Sequence, residues 1–138
     1  MATIQREFFI EAHPDEVWSA VRDFGAVDRR LAPGFVTDSR LDGDARIVTF
    51  HNGMIAREPL VDCDDERRRL VYAVISERVS HYNASVQVLP DGELRTRVSW
   101  IVDVLPHDVA PYIASQMDLA VAAMKKALAR TDAPQSAM

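Results

Sequence analysis

The sequence predicts an α+β fold: a seven-stranded, curved antiparallel sheet wrapped around one long C-terminal helix, with two short helices after the first strand. Two patterns lead to it. Between residues 35 and 105, short apolar runs are punctuated by Asp42-Gly43, Asn52-Gly53 and Asp91-Gly92. Such dipeptides mark hairpins, because their central residues must reach positive φ. Further on, Val109, Ile113, Met117, Ala120, Met124 and Leu128 recur at steps of three and four, which is one apolar stripe on a helix. That stripe needs a partner, and the only large surface on offer is the concave face of the sheet.

The elements follow in order. Residues 3–12 read as a strand with Phe8 and Ile10 on one face and Glu7, Phe9 and Glu11 on the other, so Phe9 breaks the alternation. Pro14 suits a first helical turn, and Asp15 and Glu16 suit the positive end of a helix dipole. Val17, Trp18, Val21 and Phe24 give that short helix its apolar side, and Gly25 ends it. A second short helix covers 27–31 and stops at Pro33-Gly34. Six strands follow at 35–41, 45–51, 54–62, 69–78, 82–89 and 94–105, with an acidic turn at 62–66 and a poorly marked one near 79–81. All connections are short, so these strands form an antiparallel meander. The long helix covers 108–130, with Asp108 as N-cap, Pro111 in the first turn and Lys125, Lys126 and Arg130 at the C-terminal end. One domain over 1–131 and a flexible tail over 132–138 are expected.

Bulk properties exclude several function classes. With 138 residues, 48% apolar and 27% charged, the chain suits one globular core. A net charge of −5 argues against nucleic acid as the partner. The basic run Arg67-Arg68-Arg69 follows Asp62, Asp64, Asp65 and Glu66, which cancel its field and make it a solvated turn. No apolar run is long enough for an integral membrane segment, and the N-terminus has no apolar signal core. The single cysteine, Cys63, allows no intrachain disulfide, and its acidic neighbours should raise the thiol pKa. A spectator thiol and a cytoplasmic location are expected.

Strand alternation indicates what faces the helix. Val98, Trp100, Val102 and Val104 share a face opposite Arg97, Ser99 and Asp103, and Tyr82, Ala84, Val86 and Val88 share the matching face of the strand before. Leu70, Tyr72 and Val74 should also point inward, although Val71, Ala73 and Ile75 are equally apolar. Val48 and Phe50 face in if Arg46 turns outward at the mouth. A sheet curved around one helix leaves space between them, a natural small-molecule site.

The stretch Ile10-Glu11-Ala12-His13-Pro14-Asp15-Glu16-Val17-Trp18, followed by Asp23-Phe24, resembles the opening of the polyketide cyclase/dehydrase group of the START-like superfamily. That superfamily also holds START lipid-transfer domains and birch-pollen-allergen-like proteins. Arg69-Leu70-Val71-Tyr72 and Thr96-Arg97-Val98-Ser99-Trp100 are similar to its middle-strand and late-strand patterns, and Glu58 after Arg57 to a fourth-strand glutamate of small bacterial members. The resemblance covers nearly the whole chain and implies a helix-grip fold. Members include lipid carriers, hormone receptors and cyclases, so the fold does not choose the activity.

Glu58 is the carboxylate of most interest. On one face with Leu60 it enters an apolar interior, where its pKa rises as a general acid or base requires. Equally, it pairs with an arginine such as Arg46, or the strand phase leaves it in solvent. Trp18 is assigned to packing. Trp100 is the better pocket residue, since its indole N–H can reach a polar ligand atom. Tyr72 and Tyr82 are core residues or hydroxyl donors. Met117 and Met124 offer adaptable walls beside Ile113. His51 and His81 lie near turns at the pocket mouth, while His13 and His107 read as exposed caps or loops.

No pattern of metal ligands, catalytic triad or phosphate loop appears, so neither metal nor cofactor is expected and no catalytic residue is assigned. The first reading is a binding protein for a small hydrophobic molecule, held by Glu58, Tyr72, Tyr82, Trp100, Ile113, Met117, Met124 and His51 without covalent catalysis. A cyclase or dehydratase acting on a polyketide-like substrate is the second. A protein-interaction module, like the heat-shock ATPase activator branch, is the third. A homodimer is left open.

Overall fold

A computed structural model describes residues 2–129; the expected tail at 132–138 and Arg130 at the end of the expected helix lie outside them. Strand β1 (Ala2–Ile10) buries Ile4, Phe8 and Ile10. Phe9 breaks the alternation by sitting on the outer face, where the Arg95 guanidinium covers its ring at 4.0 Å.

Helix α1 (Pro14–Arg22) starts as its sequence dictates, with proline in the first turn. The His13 side chain caps it, Nδ1 accepting the Asp15 N–H at 3.0 Å. Val17, Trp18, Ala20 and Val21 are buried. The Trp18 indole N–H donates to Asp65 Oδ1 at 3.0 Å, which ties α1 to the turn between the fourth and fifth strands. The second expected short helix is a single wide π-type turn, Val27–Leu31, entered through a 3₁₀ turn at Phe24–Ala26.

The remaining strands are β2 (Val36–Asp42), β3 (Ala45–Phe50), β4 (Ile55–Asp64), β5 (Arg69–Ala73), β6 (His81–Pro90) and β7 (Thr96–Leu105). They form one seven-stranded sheet in the order β1-β7-β6-β5-β4-β3-β2, antiparallel throughout. Six strands make the expected meander, and β1 returns to pair with β7 at the far edge. Gly43 and Gly53 carry φ of +65° and +86° in their turns, values that glycine reaches without strain.

Three boundaries differ from the sequence reading. The acidic stretch 62–66 belongs mostly to β4, and the chain turns after Asp64, whose Oδ1 accepts the Glu66 and Arg67 N–H groups at 3.0 Å each. Strand β5 ends at Ala73, and beyond it the ladder breaks into isolated bridges, Ile75 with Arg57 and Ser76 with Val79. Helix α2 (Ala110–Leu128) has Val109 at its N-cap with no side-chain cap, because Asp108 is taken up in a preceding turn, His107–Val109.

Met117, Ala120 and Met124 of α2 are buried against the concave face, and Arg6 of β1 pairs with Asp118 at 2.7 Å. Ile113 is only half-buried, contrary to the uniform stripe expected; it stands near the start of α2, where no residue of the first turn is buried. The core is continuous from α1 through the inward residues of β1, β5, β6 and β7 to α2.

Candidate functional site

Between α2 and the sheet lies an internal cavity of about 190 Å³. Its position follows from side-chain size. Ala56 and Ala120, both small and buried, line it where sheet and helix face each other, while larger groups stand around them. The walls are mainly aliphatic and aromatic, with Val48, Leu70, Val86, Met117 and Met124 among them.

Among the side chains with polar ends that line this cavity, five come one from each of five consecutive strands, Arg46 (β3), Glu58 (β4), Tyr72 (β5), Tyr82 (β6) and Trp100 (β7), while Ser76, Arg78, Tyr112 and Gln116 lie outside these strands. The register explains the arc. Arg46 stands opposite Glu58, Leu60 opposite Tyr72, Tyr72 opposite Ala84, and Val86 opposite Trp100. A bulge between Leu60 and Asp62 comes after Glu58, so Ala56, Glu58 and Leu60 keep one face.

Arg46 and Glu58 are each 5% exposed. The expectation that Arg46 turns outward at the mouth is corrected: it shares a face with Val48 and points in, where Glu58 receives it. Arg46 Nε donates to Glu58 Oε1 at 2.8 Å and Nη1 donates to the Phe24 carbonyl at 3.2 Å. Its guanidinium lies over the rings of Phe24 (4.1 Å) and Tyr72 (5.0 Å). Burial pushes the Glu58 carboxyl above its ordinary range, and the charge and hydrogen bond of Arg46 offset part of that rise.

The two tyrosines and Trp100 form the rest of the arc. Burial raises the pKa of both phenols, and the nearby Glu58 charge adds to it. Tyr72 and Tyr82 affect each other's ionisation, and Trp100 also acts on Tyr72. The Trp100 N–H is shut off from water, yet it makes no hydrogen bond of normal geometry. Leaving such a donor unpaired costs about 1–3 kcal/mol.

At the exposed end, the cavity is bordered by Phe35, Phe50, Met54, Tyr112 and Arg78. Phe35 and Phe50 meet edge to face at 5.6 Å. Two contacts tie the β3–β4 turn to α2: Asn52 Nδ2 donates to the Tyr112 hydroxyl at 3.0 Å, and His51 Nε2 lies 3.0 Å from Gln116 Oε1. Arg78 stacks over Tyr112 at 5.3 Å.

Seven of the eight residues singled out from the sequence therefore border one cavity: Glu58, Tyr72, Tyr82, Trp100, Ile113, Met117 and Met124. His51 does not; it is exposed on the rim, stacked at 5.5 Å on Phe35 and bonded to Gln116. Sequence reasoning missed Tyr112 and Gln116, although both sit one position before a stripe residue and so flank Ile113 and Met117. It also missed Phe35 and Met54, which lie beside turns and carry no periodic signal. Cys63 is half-buried, and burial with neighbouring acids raises its thiol pKa. Among the described residues no three of His, Cys, Asp and Glu gather as a metal-binding group, and no helix is long and apolar enough to cross a membrane.

Residues 1–131 match the family model described as "Polyketide cyclase / dehydrase and lipid transport". The chain belongs to that family. Solved structures agree on its fold. A Bacillus thuringiensis protein superposes with a TM-score of 0.82 at 18% identity, over 92% of this chain and 98% of that one. A START superfamily protein from Mycobacterium smegmatis gives 0.75 at 10% identity, over 91% and 96%. Norcoclaurine synthase from Thalictrum flavum, in complex with dopamine and hydroxybenzaldehyde, gives 0.66 at 20% identity, over 91% and 84%. None of the curated proteins is significantly similar in sequence. Within the polyketide cyclase / dehydrase and lipid transport family, this member has a helix-grip fold with its cavity between sheet and C-terminal helix.

Proposed function

We propose that this protein binds a small apolar or amphipathic molecule in the cavity beneath α2, without covalent catalysis. One observation carries the reading: a mainly apolar space with five polar ends gathered on one arc of the sheet, the arrangement that orients a mostly apolar ligand. Family membership supports it, since lipid transport is among the roles in the family's description. The Arg46–Glu58 contact argues for binding over acid–base work, because the only carboxylate lining the cavity among the described residues is already engaged at 2.8 Å.

The reading is tested by equilibrating the native protein with a cell lysate, repurifying it and analysing released small molecules by mass spectrometry. The neutral dye prodan serves as a second probe. An apolar or amphipathic compound at near-stoichiometric level, displacing prodan, is the expected result. A protein that retains nothing and leaves prodan fluorescence unchanged sinks the reading.

An enzyme of cyclase or dehydratase type is the second reading. What favours it is the Glu58 carboxyl, raised by burial, beside two phenols. Turnover of a retained compound that is lost in Glu58→Gln, with binding unchanged, would replace the first reading with this one.

A further inference from the structure

We infer that the ligand is a compact, uncharged molecule carrying a hydrogen-bond-accepting oxygen, a ketone or other carbonyl on an aromatic or alicyclic body, with that oxygen seated at Trp100, Tyr72 and Tyr82. This rests on the binding function proposed above and narrows it to a class.

Three observations carry it. The first is the donor count at the inner arc. Trp100 is 7% exposed and its indole N–H has no hydrogen-bond partner. Tyr72 and Tyr82 line the same cavity, and each carries a hydroxyl that can also donate. A cluster with surplus donors in an apolar enclosure is completed by an acceptor, and an indole N–H can only donate. A ligand lacking an acceptor leaves those donors unpaired, so the site discriminates against it.

The second observation is charge. Arg46 and Glu58 are the only fully charged residues deep in the cavity, and they face each other at 2.8 Å. Arg46 spends a further donor on the Phe24 carbonyl. The pair offers no uncompensated charge, so a carboxylate or ammonium seated at the inner arc would lose its hydration without gaining a free counter-ion there; Arg78 stands at the open end, over Tyr112. The third is size. At about 190 Å³ the space is of the order of cavities that hold one aromatic ring. The Phe35 and Phe50 rings at the open end continue the apolar surface toward the mouth.

The test uses three probes of nearly one shape on the unmodified protein, followed by calorimetry: 2-acetylnaphthalene, 2-isopropenylnaphthalene and 2-naphthoate. The first two differ only in a carbonyl oxygen against a methylene group. The ketone should bind at least roughly tenfold more tightly than the alkene, the scale of one well-made hydrogen bond against an unpaired donor. The naphthoate should bind more weakly than the ketone. Trp100→Phe, which keeps an aromatic ring in place, should shrink the ketone–alkene gap while alkene binding changes by less than about threefold. Equal binding of ketone and alkene overturns the acceptor anchor and leaves the binding function standing. Tightest binding of the naphthoate overturns the uncharged class, because Arg46 would then be available to an anion. If none of the three binds, the binding function falls and this inference falls with it. The unmodified protein alone decides these outcomes, so an unfolded variant cannot obscure them.

Discussion

Arg46 and Glu58 face each other across β3 and β4, and their side chains meet at 2.8 Å inside the molecule, each 5% exposed. The pair is held on both sides. Phe24 supplies a carbonyl to one guanidinium nitrogen and its ring to the guanidinium face, so the turn after α1 closes over a buried charge pair. Removing one member should therefore be far worse than removing both. Arg46→Met leaves a buried carboxylate and should cost about 3–5 kcal/mol in urea unfolding. Arg46→Met combined with Glu58→Leu should recover most of that loss. Additive losses in the double variant would show that the two side chains do not act as a unit.

The pH dependence of the same variant has a definite sign. Burial raises the Glu58 pKa above its ordinary 4.5, so the native state takes up the proton more readily than the unfolded chain. Its relative contribution to stability is full below the unfolded value and is lost as pH rises through the folded one. Without Arg46 the folded value moves higher still. The deficit of Arg46→Met against the unmodified protein should accordingly shrink as pH is lowered from 7 toward 4.5. The exposed carboxylates run the other way. Asp15, Asp64 and Asp65 are lowered by hydrogen bonds from Arg68, Arg67 and Arg22 respectively, and their contribution is lost in acid as pH falls through their folded values. Both proteins share them, so the difference between the two unfolding curves isolates Glu58. A deficit that is constant with pH would contradict the raised value.

The two tryptophans should separate stability from binding. Trp18 is packed in α1 and spends its N–H on Asp65, whereas Trp100 lines the cavity. Each is buried, and replacement by alanine should cost about 3–5 kcal/mol. Trp18→Phe and Trp100→Phe are milder, and both should remain folded by circular dichroism. Of these, only Trp100→Phe should alter prodan affinity by more than about threefold. Equal effects would remove Trp100 from the site.

Much of this was legible in the sequence, and for a physical reason. Alternation in β6 and β7 is clean, so Tyr82, Ala84, Val98 and Trp100 could be assigned to a face from their neighbours alone. The stripe on α2 located Met117 and Met124 in the same way. Arg46 could be read two ways: a lone arginine among apolar residues is ordinarily turned to solvent, and the alternative, a buried pair with Glu58, is the one the structure holds. What holds it inside is Glu58, twelve positions along, together with the Phe24 carbonyl, and only the β3–β4 register brings these three together. The mouth was hidden for a related reason. His51 and Asn52 sit on a turn, and their partners Gln116 and Tyr112 lie on the last helix, 65 and 60 positions away. No local pattern reports contacts of that range.

That mouth makes a kinetic prediction. The Asn52–Tyr112 and His51–Gln116 contacts join an exposed turn to the helix beside the open end of the cavity, so loosening them should ease the passage of a ligand. Asn52→Ala with Gln116→Ala should speed prodan release in stopped-flow measurements by several-fold. Stability should change by less than about 1 kcal/mol, since exposed hydrogen bonds contribute little. Unchanged release would place the entry route elsewhere.

Ala120 offers the most direct test of the cavity as the site. It is buried at 2% exposure on the face of α2 that lines the space, one turn beyond Met117 and one before Met124. Its methyl group leaves room that a branched side chain would occupy. In a filled core, Ala120→Leu would cost about 1–3 kcal/mol through overpacking. Here the added methyl groups enter empty space and gain apolar contact, so urea unfolding should show stability unchanged or raised by up to about 1 kcal/mol. The same groups exclude a ligand, and prodan affinity should drop at least roughly tenfold, a loss of about 1.4 kcal/mol in binding. The two readouts move in opposite directions only if the ligand and the leucine compete for one volume. A variant that is as stable as its parent and binds prodan equally well would mean that the probe sits outside the cavity, and the assignment of Tyr72, Tyr82 and Trp100 to the binding site would have to be abandoned.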